Sequence, residues 1–178
     1  MSAGADLGAL ALVRDLYAYH WWANRTLWDA AAALGEAGAT RAVGPQFSLP
    51  TLKGMFAHIY GADRLWLATW RGEPRVPMAG DADFPGMAAL RAAWDRLEAE
   101  QAAYLETLTP EALAGTVLEY RSARGTPLRA PLRILLQHVP NHGTHHRSEL
   151  ATMLTMLAGS PPDTGLHSFA LWRSGQSR

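Results

Sequence analysis

The chain has 178 residues, of which 48% are apolar, with 16 Lys+Arg against 16 Asp+Glu and no cysteine. That length fits one domain, residues 1–178, with enough apolar material to bury a core, and excludes a disordered chain. A formal charge of zero argues against a protein that grips nucleic acid through its phosphates, and the missing thiols exclude disulfides, Cys nucleophiles and Cys-ligated zinc, so a metal site would draw on His, Asp or Glu.

The first helix is expected over about residues 6–34, where Leu12, Leu16, Tyr19, Ala23, Leu27, Ala30 and Leu34 recur at helical spacing before Gly35 and Gly38. Asp6 and Arg14 interrupt its apolar run, so no signal core forms. No stretch reaches the ~18 apolar residues of a membrane span, so the expectation is a cytoplasmic protein that binds no membrane. A loop with Gly44, Pro45 and Pro50 leads to a second helix over about residues 51–71, capped by Ser48 or Thr51, with Leu52, Met55, Ile59, Trp66 and Trp70 along it. Gly72, Pro74, Pro77 and Gly80 make the next loop. The third helix is expected over about residues 85–108, with Leu90, Trp94, Leu97, Tyr104 and Leu108 inward.

Thr109, Pro110 and Glu111 supply a cap, a first-turn proline and a first-turn acid, the start of a short helical turn. Residues 116–121 and 126–129 alternate around a Ser-Ala-Arg-Gly turn and predict a small hairpin. The fourth helix covers about residues 132–158 and ends at Gly159 before Pro161-Pro162. In the tail, Leu166, Phe169, Leu171 and Trp172 are expected to tuck against the rest. Four long amphipathic helices make an all-α four-helix bundle the simplest fold, with the hairpin inserted before the last helix.

The chemistry concentrates on that last helix, in His138-Val-Pro-Asn-His142-Gly-Thr-His145-His146-Arg147-Ser-Glu149. At ~100° per residue, with His138 at zero, His142 falls at about 40°, His145 at about −20°, His146 at about 80° and Glu149 at about 20°. Leu132, Leu135, Val139, Leu150, Met153 and Leu157 cluster at about 60–120°, so His142 and His146 are the core-facing pair. Imidazoles four residues apart reach one ion from one face. Two imidazoles buried without partners would cost on the order of 1–3 kcal/mol each, which a shared metal removes. A third ligand must come from another helix. His58 is the best candidate, since it lies on the inward stripe of the second helix with Met55, Ile59, Ala62 and Trp66; His20 is the competitor, and His167 in the tail is a weaker one. The same pair also fits two ordinary bundle histidines that bond backbone or each other. Three histidines and an open position is the form of a catalytic metal site.

Three segments resemble the DinB/YfiT-like family of metalloenzymes, which is distinct from the DNA polymerase of the same name. They are Tyr19-His20-Trp21-Trp22-Ala23-Asn24-Arg25-Thr26-Leu27, the segment from Phe56 through His58 to Trp66, and Leu136-Gln137-His138-Val139-Pro140-Asn141-His142-Gly143-Thr144-His145-His146-Arg147. The resemblance implies a four-helix bundle, often dimeric, with His58, His142 and His146 as the ligands of one divalent ion. Zinc, nickel and iron all suit imidazole. It also implies a low-molecular-weight thiol cosubstrate in the thiol S-transferases of the family. Where the family commonly has His-Arg-Gly-Gln, this chain has His146-Arg147-Ser148-Glu149. Glu149 is therefore a candidate to orient a ligand imidazole, to act as a base or to bind the metal; its plainer reading is a flank residue paired with an Arg.

The functional expectation is a metal-dependent enzyme, S-transferase-like or hydrolase-like, acting on a small molecule as a homodimer. The alternative is a non-enzymatic stress-response protein with a structural metal, completed by Glu149 or His138. Five of the seven tryptophans, Trp21, Trp22, Trp28, Trp66 and Trp70, sit on the first two helices and read as core, with one or two available to wall a pocket. Asn24 and Arg25 are expected to tie helix ends or pair with Asp63. Arg147 should point away from the histidine stripe, toward a carboxylate or an anionic substrate.

Overall fold

Threonine caps mark where two of the helices begin. Thr51 accepts the N–H of Gly54, and Thr109 accepts that of Ala112 ahead of a first-turn proline. The computed structural model describes residues 3–122 and 124–176. In chain order it has α1 (Ala3–Ala32), a short α2 (Gly35–Thr40), α3 (Leu52–Trp70), α4 (Met87–Glu106), a short α5 (Pro110–Gly115), strands β1 (Val117–Arg121) and β2 (Pro127–Pro131), α6 (Leu132–Ala158) and α7 (Leu166–Arg173). The fold is all-α apart from the antiparallel pair, in which Tyr120 faces Leu128. Ala123, in the expected hairpin turn, lies outside the described residues.

The four long helices form the bundle. Helix α6 packs chiefly against α1 and α3, and α4 closes the far side against α3 and α1. Leu27, Leu52, Met55, Phe56, Ile59, Leu90, Leu136, Leu150 and Met153 are all fully buried between them, and this apolar burial is the dominant stabilising term. Glu36 accepts the N–H of Met87 and so places a carboxylate at the N-terminus of α4.

Two residues of α3 hold the loop before α4. The sole lysine, Lys53, donates to the carbonyls of Asp81 and Phe84. Gly61 lets the loop approach, because a Cβ there would lie 2.6 Å from the Ala79 carbonyl oxygen.

Pro140 sits inside α6 and has no N–H to give the carbonyl of Leu136. The buried Tyr17 hydroxyl of α1 donates to that carbonyl at 3.0 Å. Burial, and then the nearby Asp63, push its pKa up and keep it a donor.

Three expectations are corrected. The stripe Leu12, Leu16, Tyr19, Ala23 does not face the main core: Tyr19 and Ala23 pack with Phe169 of α7, Leu16 lines the same cluster, and Leu12 is 72% exposed. The main core takes Leu10, Val13, Tyr17, Trp28 and Ala31 from α1, together with the expected Leu27 and, partly buried, Ala30 and Leu34. The tail is a helix of which only Phe169 is buried, while Leu166 and Trp172 are exposed. Residues 35–40, expected as a glycine-bearing break, form α2.

Candidate metal centre

His58 projects from α3 toward α6, where the four-residue spacing stacks His142 and His146 one turn apart. The Nε2 atoms of His58 and His146 are 3.1 Å apart, as are those of His146 and His142. One coordinating nitrogen from each of the three lies within 4.8 Å of the others. His146 is buried and the other two are half-buried.

The cluster does not satisfy itself. The carboxylate of Glu149 lies 2.9 Å from His146 Nδ1 and fixes the proton there. His146 Nε2 is then a single lone pair facing two imidazole nitrogens, and it accepts at most one good N–H bond. A cation among the three nitrogens resolves the conflict. An ion bound at ~2.0–2.1 Å by tetrahedrally arranged imidazoles would hold its nitrogens at about 3.3 Å, close to the spacing observed. The donor set therefore fits a divalent metal.

The electrostatics favour neutral rings. His142 has its pKa pushed down to about 3, first by burial and then by the imidazoles of His146, His58, His138 and His145. That of His58 is lowered by burial and then by His146, against an opposing effect of Glu149. Both present lone pairs at neutral pH.

Glu149 is held in turn by Ser48, whose N–H and hydroxyl donate to Oε1 at 2.9 and 3.0 Å. Burial raises the Glu149 pKa, but the bonds from the Ser48 N–H, His146 and the Ser48 hydroxyl outweigh it and leave it lowered. The Arg partner expected for this residue is not what holds it. Ser48 reads from the sequence as a possible helix cap, and Thr51 takes that role. Nothing local in the sequence pairs Ser48 with a carboxylate 101 positions away.

The other sequence candidates stand outside the triad, although the His145 ring lies 4.8 Å from that of His146 and forms a second group of close ligand atoms with His146 and Glu149. His20 is fully buried with Asp63, their Nε2 and Oδ2 2.9 Å apart, on the α1 side of the bundle. His145 and His138 are exposed. His167 opens α7. Arg25 pairs with Glu98 rather than Asp63. Burial pushes Glu98 up to about 7, against the opposing charge of Arg25. Arg147 does point away from the stripe, but to His20, Asn24 and Thr144 rather than to a carboxylate.

A row of rings leads outward from the cluster. His138 lies 6.0 Å from His142 and 5.1 Å from Trp66, which packs on Tyr120 at 5.4 Å. Trp66 and Tyr120 also line a cavity of about 500 Å³ with Leu65, Thr69, Arg75 and Arg121. No helix among the described residues is long and apolar enough to cross a membrane.

A family model described as the DinB family matches residues 1–175. Protein DinB of Bacillus subtilis (strain 168) is 26% identical over 165 residues, covering 86% of this chain and 92% of that protein.

Proposed function

The chain belongs to the DinB family, and from that premise we propose that it is a metal-dependent enzyme in which His58, His142 and His146 hold one divalent ion, zinc, nickel or iron, beside a small-molecule substrate. The observation that carries this reading is the mutual approach of the Nε2 atoms, with His146 Nε2 left as a lone pair by Glu149. When bound, the ion would supply Lewis acidity that lowers the pKa of a thiol or a water toward neutrality.

The protein's residues supply the rest. His58 and His142 enter as neutral ligands and leave the charge of the ion uncompensated. Glu149 holds the His146 ring by its Nδ1 proton, and Ser48 holds Glu149. Both Glu149 oxygens are engaged on the far side of that ring, which favours an open position over a fourth protein ligand and so a catalyst over a structural site. Trp66 and His138 would wall the approach of the substrate.

Two reactions fit this arrangement: transfer of a low-molecular-weight thiol to an electrophile, and hydrolysis. The test is to quantify bound metal in the purified protein and assay both reactions with and without a chelator. Activity lost on chelation and restored by one divalent ion is expected; activity indifferent to the chelator would refute the reading. The homodimer that the family resemblance implies is part of the proposal, and light scattering at micromolar concentration is expected to give twice the chain mass.

A further inference from the structure

Helices α3 and α6 are tied together a second time, on the side facing α1, by polar groups that take no part in the histidine cluster. Arg147 is 3% exposed and Asp63 and His20 are fully buried. One Arg147 nitrogen lies 2.9 Å from both His20 Nδ1 and Asn24 Oδ1; the other donates to Thr144 Oγ1 at 2.8 Å. Because Nδ1 of His20 faces a guanidinium, it is the lone-pair nitrogen, and Nε2 carries the proton it donates to Asp63. A neutral imidazole of fixed tautomer thus spans a buried cation on α6 and a buried anion on α3. The Arg147 guanidinium also lies 5.2 Å over the ring of Tyr19.

We infer that His20, Asp63, Asn24 and Arg147 are positioning residues that set the spacing and rotation at which α3 and α6 present His58, His142 and His146. The inference rests on the metal reading above. Its first support is register. Gly143 follows His142 and Arg147 follows His146, so the face of α6 carrying the cluster lies about 100° from the face carrying the ties. On α3, Asp63 stands five residues, about 140° round, from His58.

The second support is steric. A Cβ on Gly143 would lie 2.4 Å from His20 Cε1 and 2.7 Å from Nδ1. The glycine is what lets the ring lodge between the helices, and the fully buried ring cannot swing aside. The third support is energetic. Buried ion networks are often no more stabilising than apolar packing of the same volume, and Asp63 Oδ1 is buried with no hydrogen-bond partner among the described residues. Stability alone does not account for the arrangement, whereas a fixed helix spacing does.

The test titrates Co(II) into His20→Phe, Gly143→Ala, Arg147→Lys and Asp63→Asn beside the wild type, reading affinity, the visible d–d band and, on the same apoprotein samples, helicity and urea unfolding. His20→Phe keeps the ring and removes both ties; Asp63→Asn keeps an acceptor for His20 Nε2–H. Folded His20→Phe and Gly143→Ala should bind at least about tenfold more weakly with a displaced band, and Asp63→Asn should stay within about threefold of the wild type. If neither of the first two folds, Arg147→Lys, which keeps the charge and the stem, carries the test through the same shift in affinity and band. Lower apoprotein stability with wild-type affinity and an unchanged band would overturn the inference. A wild type that fails to bind Co(II) would instead remove the metal reading beneath it.

Discussion

Replacing Glu149 by Gln isolates what its charge does for the cluster. The carboxylate accepts three bonds, from the Ser48 N–H at 2.9 Å, the Ser48 hydroxyl at 3.0 Å and His146 Nδ1–H at 2.9 Å. Glutamine keeps the length and one acceptor oxygen but loses the charge. A hydrogen bond to a charged group is worth about 1.5–3 kcal/mol and a neutral one about 0.5–1.5. The hold on His146 should therefore weaken by about 1–2 kcal/mol, or roughly 5–30-fold in zinc affinity. Competition against a chromophoric chelator at neutral pH measures this. Glu149→Ala should cost more, since it removes all three bonds. The pH dependence has a definite sign: with its folded pKa lowered, Glu149 stabilises the apoprotein above its unfolded pKa of ~4.3, and that contribution is lost as pH falls through the folded value. If both variants bind zinc as the wild type does, Glu149 is a flank residue and the orienting argument fails.

Acid should also act through the histidines themselves. The folded pKa of His142 is held down to about 3 and that of His58 is lowered, so the unfolded chain takes up protons near pH ~6.5 that the folded one refuses. Apoprotein stability is expected to fall as pH drops below that point and to stop falling on this account below the folded values. Urea midpoints across the range should show it, with a smaller fall in His142→Asn. Tyr17→Phe leaves the Leu136 carbonyl buried and unpaired beside Pro140 and should cost about 1–3 kcal/mol. Adding Pro140→Ala restores an N–H to that carbonyl, so a double-mutant cycle by urea unfolding should show strong coupling, and strict additivity would contradict the assignment. Gly61→Ala forces a methyl against the Ala79 carbonyl and should lower the thermal midpoint, by roughly 2–4 °C for each kcal/mol lost.

The last helix was readable because it carries its own evidence. His142 and His146 share a helix and a face with Leu150 and Met153, and a wheel needs no knowledge of neighbours. His58 was harder. His20 and His58 both occupy inward faces, and periodicity cannot say which inward face meets which. The inward stripe of the second helix and the family resemblance both favoured His58 over His20, and in the structure His20 meets Asp63 and Arg147. Gly143 was the overlooked signal: a glycine inside a helix, one turn before an arginine, marks a close approach. Helix α1 misled because it is apolar on two faces, one for the core and one for α7, and Leu16, Tyr19 and Ala23 lie on the second. Bonds such as Ser48 to Glu149 or Tyr17 to Leu136 depend on tertiary adjacency, which no local pattern encodes.

Counting bound metal decides whether His58, His142 and His146 form one site. Purified wild-type chain, stripped and then titrated with zinc, should take up one equivalent per chain, and the same titration of His58→Ala or His146→Ala should show no comparable site. A wild type that binds none, or variants that bind as it does, would contradict the account.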